Sequence, residues 1–173
     1  MIRRTPAALV LALALAGPAA AQLGDAPETL SETHGDWLVR CAAPAEDGNR
    51  QCEMAQDVRE RGEGGRRVLS MAVQRGDGDA AQLTFIGPFG LRLADGMGLR
   101  IDEAETPQLM IPFLTCVTDG CIAVSPLAPE LRIALLEGEA LEAVVVSVGG
   151  EPVRIGLSLE GFAAAWARLG ALR

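Results

Sequence analysis

Apolar positions recur along this chain mostly with a period of two, and with a helical period in only two places. Asp36-Trp37-Leu38-Val39-Arg40-Cys41 reads as a strand, and Gln51–Arg59, which alternates loosely, as a second. Ala42–Asn49 between them, with Pro44, Asp47, Gly48 and Asn49, reads as a loop. In Val68–Arg75 the set Val68, Ser70, Ala72 and Gln74 alternates with Leu69, Met71 and Val73, the pattern of a half-buried strand. Gly76-Asp77-Gly78-Asp79 then turns the chain and Gln82–Ile86 returns it. Pro88, Gly90, Gly96 and Gly98 punctuate short extended pieces at Leu91–Leu93 and Leu99–Ile101. Leu109–Val117 and Cys121–Ser125 predict a hairpin about Asp119-Gly120. Ala140–Val148 and Val153–Leu157, parted by Gly149-Gly150, are the last strands.

The helical period appears first in Pro129–Glu137, which puts Leu131, Ala134 and Leu135 on one face. Near the end, Ser158 is a candidate cap, Phe162, Trp166 and Leu169 form an apolar stripe, and Gly170 is a stop signal. Many short strands with regular turns predict a mostly β, single-domain protein over residues 34–173. Its architecture is a β-sandwich or partly open barrel, with one short internal helix and a C-terminal helix covering an end or a sheet face. Residues 22–33 are polar, contain Pro27 and show no apolar period, so they read as a flexible N-terminal segment.

The first 21 residues have a different logic. Met1-Ile2-Arg3-Arg4 is a cationic start, Ala7–Ala16 an apolar run, and Ala19 and Ala21 give the small-x-small pattern of a signal peptidase site. The run is far shorter than the roughly 20 residues a membrane-spanning helix needs. The expectation is a signal peptide cleaved after Ala21, with no transmembrane segment in the exported part. Such export leads to an oxidising compartment in which cysteines pair. Losing Arg3 and Arg4 reduces the 15 basic side chains to 13, against 23 acidic ones. That balance argues against nucleic acid as a partner and against docking on anionic lipid. All the basic side chains are Arg, and after residue 21 only Arg66-Arg67 are adjacent, so a GC-rich genome accounts for the usage without a clustered anion site.

Candidate chemistry is thin. His34 is the only histidine; it sits beside the polar N-terminal segment, and no G-x-S-x-G nucleophile elbow occurs, so a solvated terminal residue explains it. One histidine leaves little with which to build a metal centre. Asp102, Glu103 and Glu105 cluster, as do Glu137, Glu139 and Glu142, but paired-carboxylate hydrolysis needs a cleft, usually with aromatic walls, and here turn and surface placement accounts for them. Asp77 and Asp79 lack the spacing of a calcium loop. Trp37 and Trp166 both lie in periodic apolar settings, which assigns them to the core. No catalytic, metal-binding or cofactor-binding residue is expected, and no cofactor.

Cys41 and Cys52 lie eleven positions apart, and Cys116 and Cys121 five. Four cysteines allow three pairings; proximity along the chain favours Cys41 with Cys52 and Cys116 with Cys121. Cα separations of about 4.4–6.8 Å are then expected. A Cys₄ zinc site fits only the second spacing and is disfavoured by export, and a thiol-redox site lacks its C-x-x-C.

Three segments in order resemble the invasion-associated locus B family of exported bacterial proteins. They are Gly35–Cys41 with Cys52; Gly87-Pro88-Phe89-Gly90-Leu91 through Gly98–Asp102; and Phe113–Cys116 with Asp119–Ala123. Leu157–Phe162 is similar to the family's end, and the likeness covers about residues 34–169. The resemblance implies a periplasmic or envelope-associated all-β protein without a known catalytic site, and a cysteine pattern that maps onto Cys41, Cys52, Cys116 and Cys121. The expectation is an exported non-enzymatic protein whose partner is another envelope protein or a host-surface protein. Two alternatives accompany it: a small-ligand module whose inter-sheet pocket is lined by Leu109–Leu114, and a carboxylate-dependent hydrolase. Peptide mapping of the unreduced exported protein checks the framework. It should yield an N-terminus at Gln22 and linked peptides joining Cys41 to Cys52 and Cys116 to Cys121; a link from Cys41 to either late cysteine refutes the pairing.

Overall fold

The computed structural model describes residues 29–172 except 47 and 63. The expected signal peptide, residues 1–21, and residues 22–28 lie outside the described residues. Two antiparallel sheets share one apolar core. The large sheet has the order β1 (Leu30–His34), β2 (Trp37–Cys41), β3 (Cys52–Arg59), β4 (Arg67–Arg75), β5 (Ala81–Gly87), β9 (Gly120–Pro126), β8 (Phe113–Val117). The small sheet has the order β11 (Pro152–Ser158), β10 (Ala140–Val146), β6 (Met97–Ile101), β7 (Leu109–Ile111). Neither sheet closes on itself. Helix α1 (Pro129–Glu137) connects β9 to β10, and α2 (Phe162–Ala171) packs on β1, β2, β3 and α1. The mostly β architecture with an internal and a C-terminal helix is the one the periodicity predicts.

Alternation builds the core directly. Trp37 and Val39, Leu69, Met71 and Val73, and Leu83 and Phe85 point inward from the large sheet. Met97 and Leu99, Leu141, Ala143 and Val145, and Ile155 and Leu157 answer from the small one. Each such side chain, fully buried, stabilises the fold by about 1.5–3 kcal/mol. Phe162 caps this core edge-on to Trp37, with ring centres 5.0 Å apart and planes at 88°.

One polar side chain sits among these apolar ones. Gln56 of β3 is only 8% exposed. Its amide nitrogen donates to the Ser158 carbonyl at 2.9 Å and to the Asp36 carbonyl at 3.3 Å, while its oxygen accepts the Ser158 N–H at 3.0 Å. The Trp37 ring N–H donates to the same Ser158 carbonyl at 3.0 Å. Ser158 ends β11, so the large sheet reads the backbone of the small one at this point. The chain then passes directly over the β1–β2 turn, with the Asp36 N–H donating to the Glu160 carbonyl at 3.1 Å. Gly35 and Gly161, at φ +56° and +85°, face each other there, and a Cβ on either would run into the other segment's backbone.

Five local expectations are corrected. Leu30–Thr33 is not a loose segment but most of edge strand β1; its half-buried positions are Leu30, Glu32 and His34, so polar residues hide the alternation. Leu109–Val117 is two strands, because Pro112, which has no N–H to give a ladder, lets the chain leave the small sheet after β7 and join the large one as β8. Leu91 makes only an isolated bridge to Ser147, and Leu93–Asp95 is a single 3-10 turn. Ser158 does not cap α2; Gly161 precedes its first residue in the left-handed conformation. Gly170 lies within α2, which runs to Ala171.

Gln56→Ala removes three hydrogen bonds and leaves the part-buried Ser158 N–H without this partner. Urea unfolding should show a loss of about 1–3 kcal/mol with an unchanged m-value; a loss within error of zero would show that water replaces the amide.

Candidate functional site

Cys41 is bonded to Cys52 across β2 and β3, and Cys116 to Cys121 across β8 and β9; no cysteine is free. The Cα separations are 4.0 and 3.9 Å, shorter than the range expected from sequence. Both pairs sit directly opposite on neighbouring antiparallel strands. For the first pair the next rung is hydrogen-bonded, Ala42 N–H to the Gln51 carbonyl at 2.9 Å, which puts the cysteines at the narrow, non-hydrogen-bonded rung. With all four sulfurs in disulfides, none is available as a zinc ligand or a redox thiol.

One member of each acidic cluster, Asp102 and Glu142, holds the fold. Asp102 and Glu103 both have positive φ, 50° and 59°. There the Asp102 carboxylate accepts the backbone N–H of Glu139 at 2.9 Å and of Ala140 at 3.0 Å, tying the end of β6 to the start of β10. Those bonds, Ala140's first and then Glu139's, favour the charged form and hold its pKa below the ordinary value. Glu142 is divided between Arg100 at 2.9 Å and Arg154 at 3.6 Å. Among the described residues no three His, Cys, Asp or Glu side chains group as a metal site. Asp77 and Asp79 lie in the β4–β5 turn, where Ala80 N–H donates to the Asp77 carbonyl at 3.2 Å.

His34 is not a solvated terminal residue. It is half-buried in β1 opposite Trp37, with Nε2 buried, without a hydrogen-bond partner, and 3.7 Å from Glu32. Glu32 is the more important group. Arg168 of α2 grips its carboxylate with Nε at 2.5 Å and Nη2 at 2.7 Å. Arg168's hydrogen bond lowers the Glu32 pKa; desolvation opposes this and the positive charge adds to it. Neither residue is marked by the hydrophobic pattern.

Trp37 is fully buried, as expected, but Trp166 is half-exposed beneath two guanidinium groups, Arg75 at 4.5 Å and Arg132 at 5.7 Å from the ring centre. The expected pocket wall Leu109–Leu114 divides: Ile111 is buried, while Met110 is 56% and Leu114 75% exposed. The space between the sheets is filled by the core, and the open volumes are surface clefts. A cleft of about 730 Å³ lies between the β2–β3 loop, the β4–β5 turn and the end of α2, with Gln51, Gln74, Arg75, Asp77 and Leu169 among its walls. A second, of about 490 Å³, is bounded by Arg59, Arg66, Arg67, Phe89 and Asp119. Among the described residues each holds a single carboxylate and no acid–base pair. No described helix is long and apolar enough to cross a membrane.

These features define a disulfide-stapled β-sandwich whose accessible features are clefts and a sheet edge. The family model for invasion associated locus B protein matches residues 37–170. An invasion protein B homologue of Brucella abortus strain 2308 is 33% identical over 154 residues, covering 88% of this chain and 86% of the homologue. Invasion protein B of Bartonella bacilliformis is 31% identical over 161 residues, covering 90% and 83%. The crystal structure of invasion associated protein B from Bartonella henselae superposes with a TM-score of 0.73 at 27% identity, covering 83% of this chain and 96% of that one. The chain belongs to the invasion-associated locus B family.

The Glu32 and Asp102 pKa values both lie below their ordinary values. The stability these carboxylates contribute is therefore present above the unfolded-state pKa, about 4, and lost as pH falls through the lower folded-state value. Glu32→Gln and Asp102→Asn should melt below wild type at pH 7 and converge with it as the pH drops beneath the ordinary carboxylate range. A melting difference that stays constant down to pH 2 would assign the effect to shape rather than charge.

Proposed function

We propose that this chain is exported by its first 21 residues and works at the cell envelope as a non-enzymatic protein that binds another protein. The observation that carries this reading is strand β8. It is an outer strand of the large sheet and reads Phe113-Leu114-Thr115-Cys116-Val117, without a charge or a proline, with Leu114 75% and Val117 45% exposed. Folded proteins usually blunt such an edge with lysine, proline or a covering element, because its free N–H and C=O groups template a foreign strand. Left open and pinned by the Cys116–Cys121 bridge, it suits strand addition by a partner. The relatives' names refer to invasion, which adds a host-cell surface protein to envelope proteins as a partner class.

A photo-crosslinking residue in place of Thr115 tests the reading in intact envelopes. A single discrete protein adduct should form with the otherwise wild-type chain and be lost with Leu114→Lys, which charges the edge. The proposal is overturned by the absence of any adduct. It is equally overturned by turnover that persists through purification and disappears on replacing one carboxylate.

A further inference from the structure

Arg75 ends β4 and lies flat on α2. Its guanidinium carbon is 4.5 Å from the Trp166 ring centre, and Gly170, one turn further along, leaves the space its Nη1 fills; a Cβ there would collide with it. The side chain has no counter-ion among the described residues, and its Nε is buried without a hydrogen-bond partner. Arg40, Arg66, Arg92, Arg100 and Arg168 each pair with a carboxylate, in a chain where acids are in excess. A half-buried cation whose one described partner is an aromatic face still lacks a counter-charge, and an anion from elsewhere would supply it.

That cation borders the 730 Å³ cleft, where Asp77 is the one acidic wall among the described residues; Arg50 also lines it but has interactions of its own. We propose that this cleft binds a carboxylate carried on an extended peptide segment, with Arg75 as its counter-ion. A planar guanidinium held by an aromatic ring presents a fork that matches a carboxylate. A singly charged group offsets Arg75 alone, whereas a phosphate dianion would also face Asp77. The extended form follows from the neighbouring surface. Grooves of about 290 and 300 Å³ adjoin the cleft, one sharing Gln51 and Gln74 with it and the other Gln74 and Arg75. Gln51 and Gln82 bring side-chain amides to these grooves, able to donate to and accept from a peptide backbone. This site shares no residue with β8, so it stands or falls separately from the edge-strand reading.

The test follows the Arg75 Nε–Hε resonance of the ¹⁵N-labelled exported protein at low ionic strength. The titrants are the blocked peptide acetyl-Ser-Glu-Ser-amide, its Gln counterpart, acetate and inorganic phosphate. The Glu peptide should move this resonance and the amides of residues 48–52 and 74–77 saturably, while the Gln peptide does not. Arg75→Gln should weaken binding about 10- to 100-fold. Gly170→Ala, which disturbs the same guanidinium from the helix side, should weaken it without removing the charge, and backbone spectra of both variants check folding. Acetate binding as tightly as the peptide would reduce the site to one for free carboxylates. Phosphate binding as tightly would make it a general anion site, and no shift with any titrant would abolish it. A resonance that moves on removing Arg173 from the free protein would assign the partner to the chain itself. Each of these four results overturns the proposal.

Discussion

The hydrogen bonds around the Ser158 backbone are the joint on which this fold turns. Two sheets that touch only through apolar side chains can slide, because apolar contact has no direction. Gln56 and Trp37 remove that freedom by fixing the end of β11 against β2 and β3. With β11 fixed, the chain must turn at Gly161, and the next residue, Phe162, falls edge-on to Trp37. Helix α2 is thereby aimed across β1–β3, which brings Arg168 to Glu32 and makes a strand of a polar segment. A network of this kind is worth having only when every member is satisfied. Here the amide uses both its donor and its acceptor sides.

The sandwich leaves four sheet edges, and they are treated differently. β1 is secured by α2 through the Glu32–Arg168 pair. β11 opens on Pro152 and carries Arg154, both unfavourable to a docking strand. β7 is three residues long and turns away at Pro112. β8 alone is five residues of neutral edge, interrupted only by a register shift between Phe113 and Thr115, where Leu114 stands 75% exposed. The contrast within one molecule makes β8 the informative edge, since prolines, charges and a covering helix protect the other three while β8 has only its local bulge.

The strands whose inward side chains are apolar were legible from the alternation alone, as in β4 with Leu69, Met71 and Val73. Where a polar residue occupies an inward position, the pattern fails. Gln56 follows Met54 in phase on β3, and Glu32 stands where a core residue would in β1. Their partners, the Ser158 backbone and Arg168, are 102 and 136 positions away, so no local window could connect them. Arg75 was hidden for the same reason, because its seat is made by Trp166 and Gly170 on a helix far along the chain. The cysteines were legible because short separations between strand-like segments leave few geometries open.

The positions of the two disulfides bear on recognition as well as stability. Each closes a short loop and so contributes about 2–3 kcal/mol by constraining the unfolded chain, less than a long-range bridge would. Neither joins the two sheets, where a longer loop would have been closed. Cys52 instead lines the Arg75 cleft, and Cys116 lies on the exposed β8 edge. A loop or edge strand held in its binding geometry loses less conformational entropy when a partner arrives. On the two proposed binding surfaces, the staples therefore stand where rigidity would lower the cost of association.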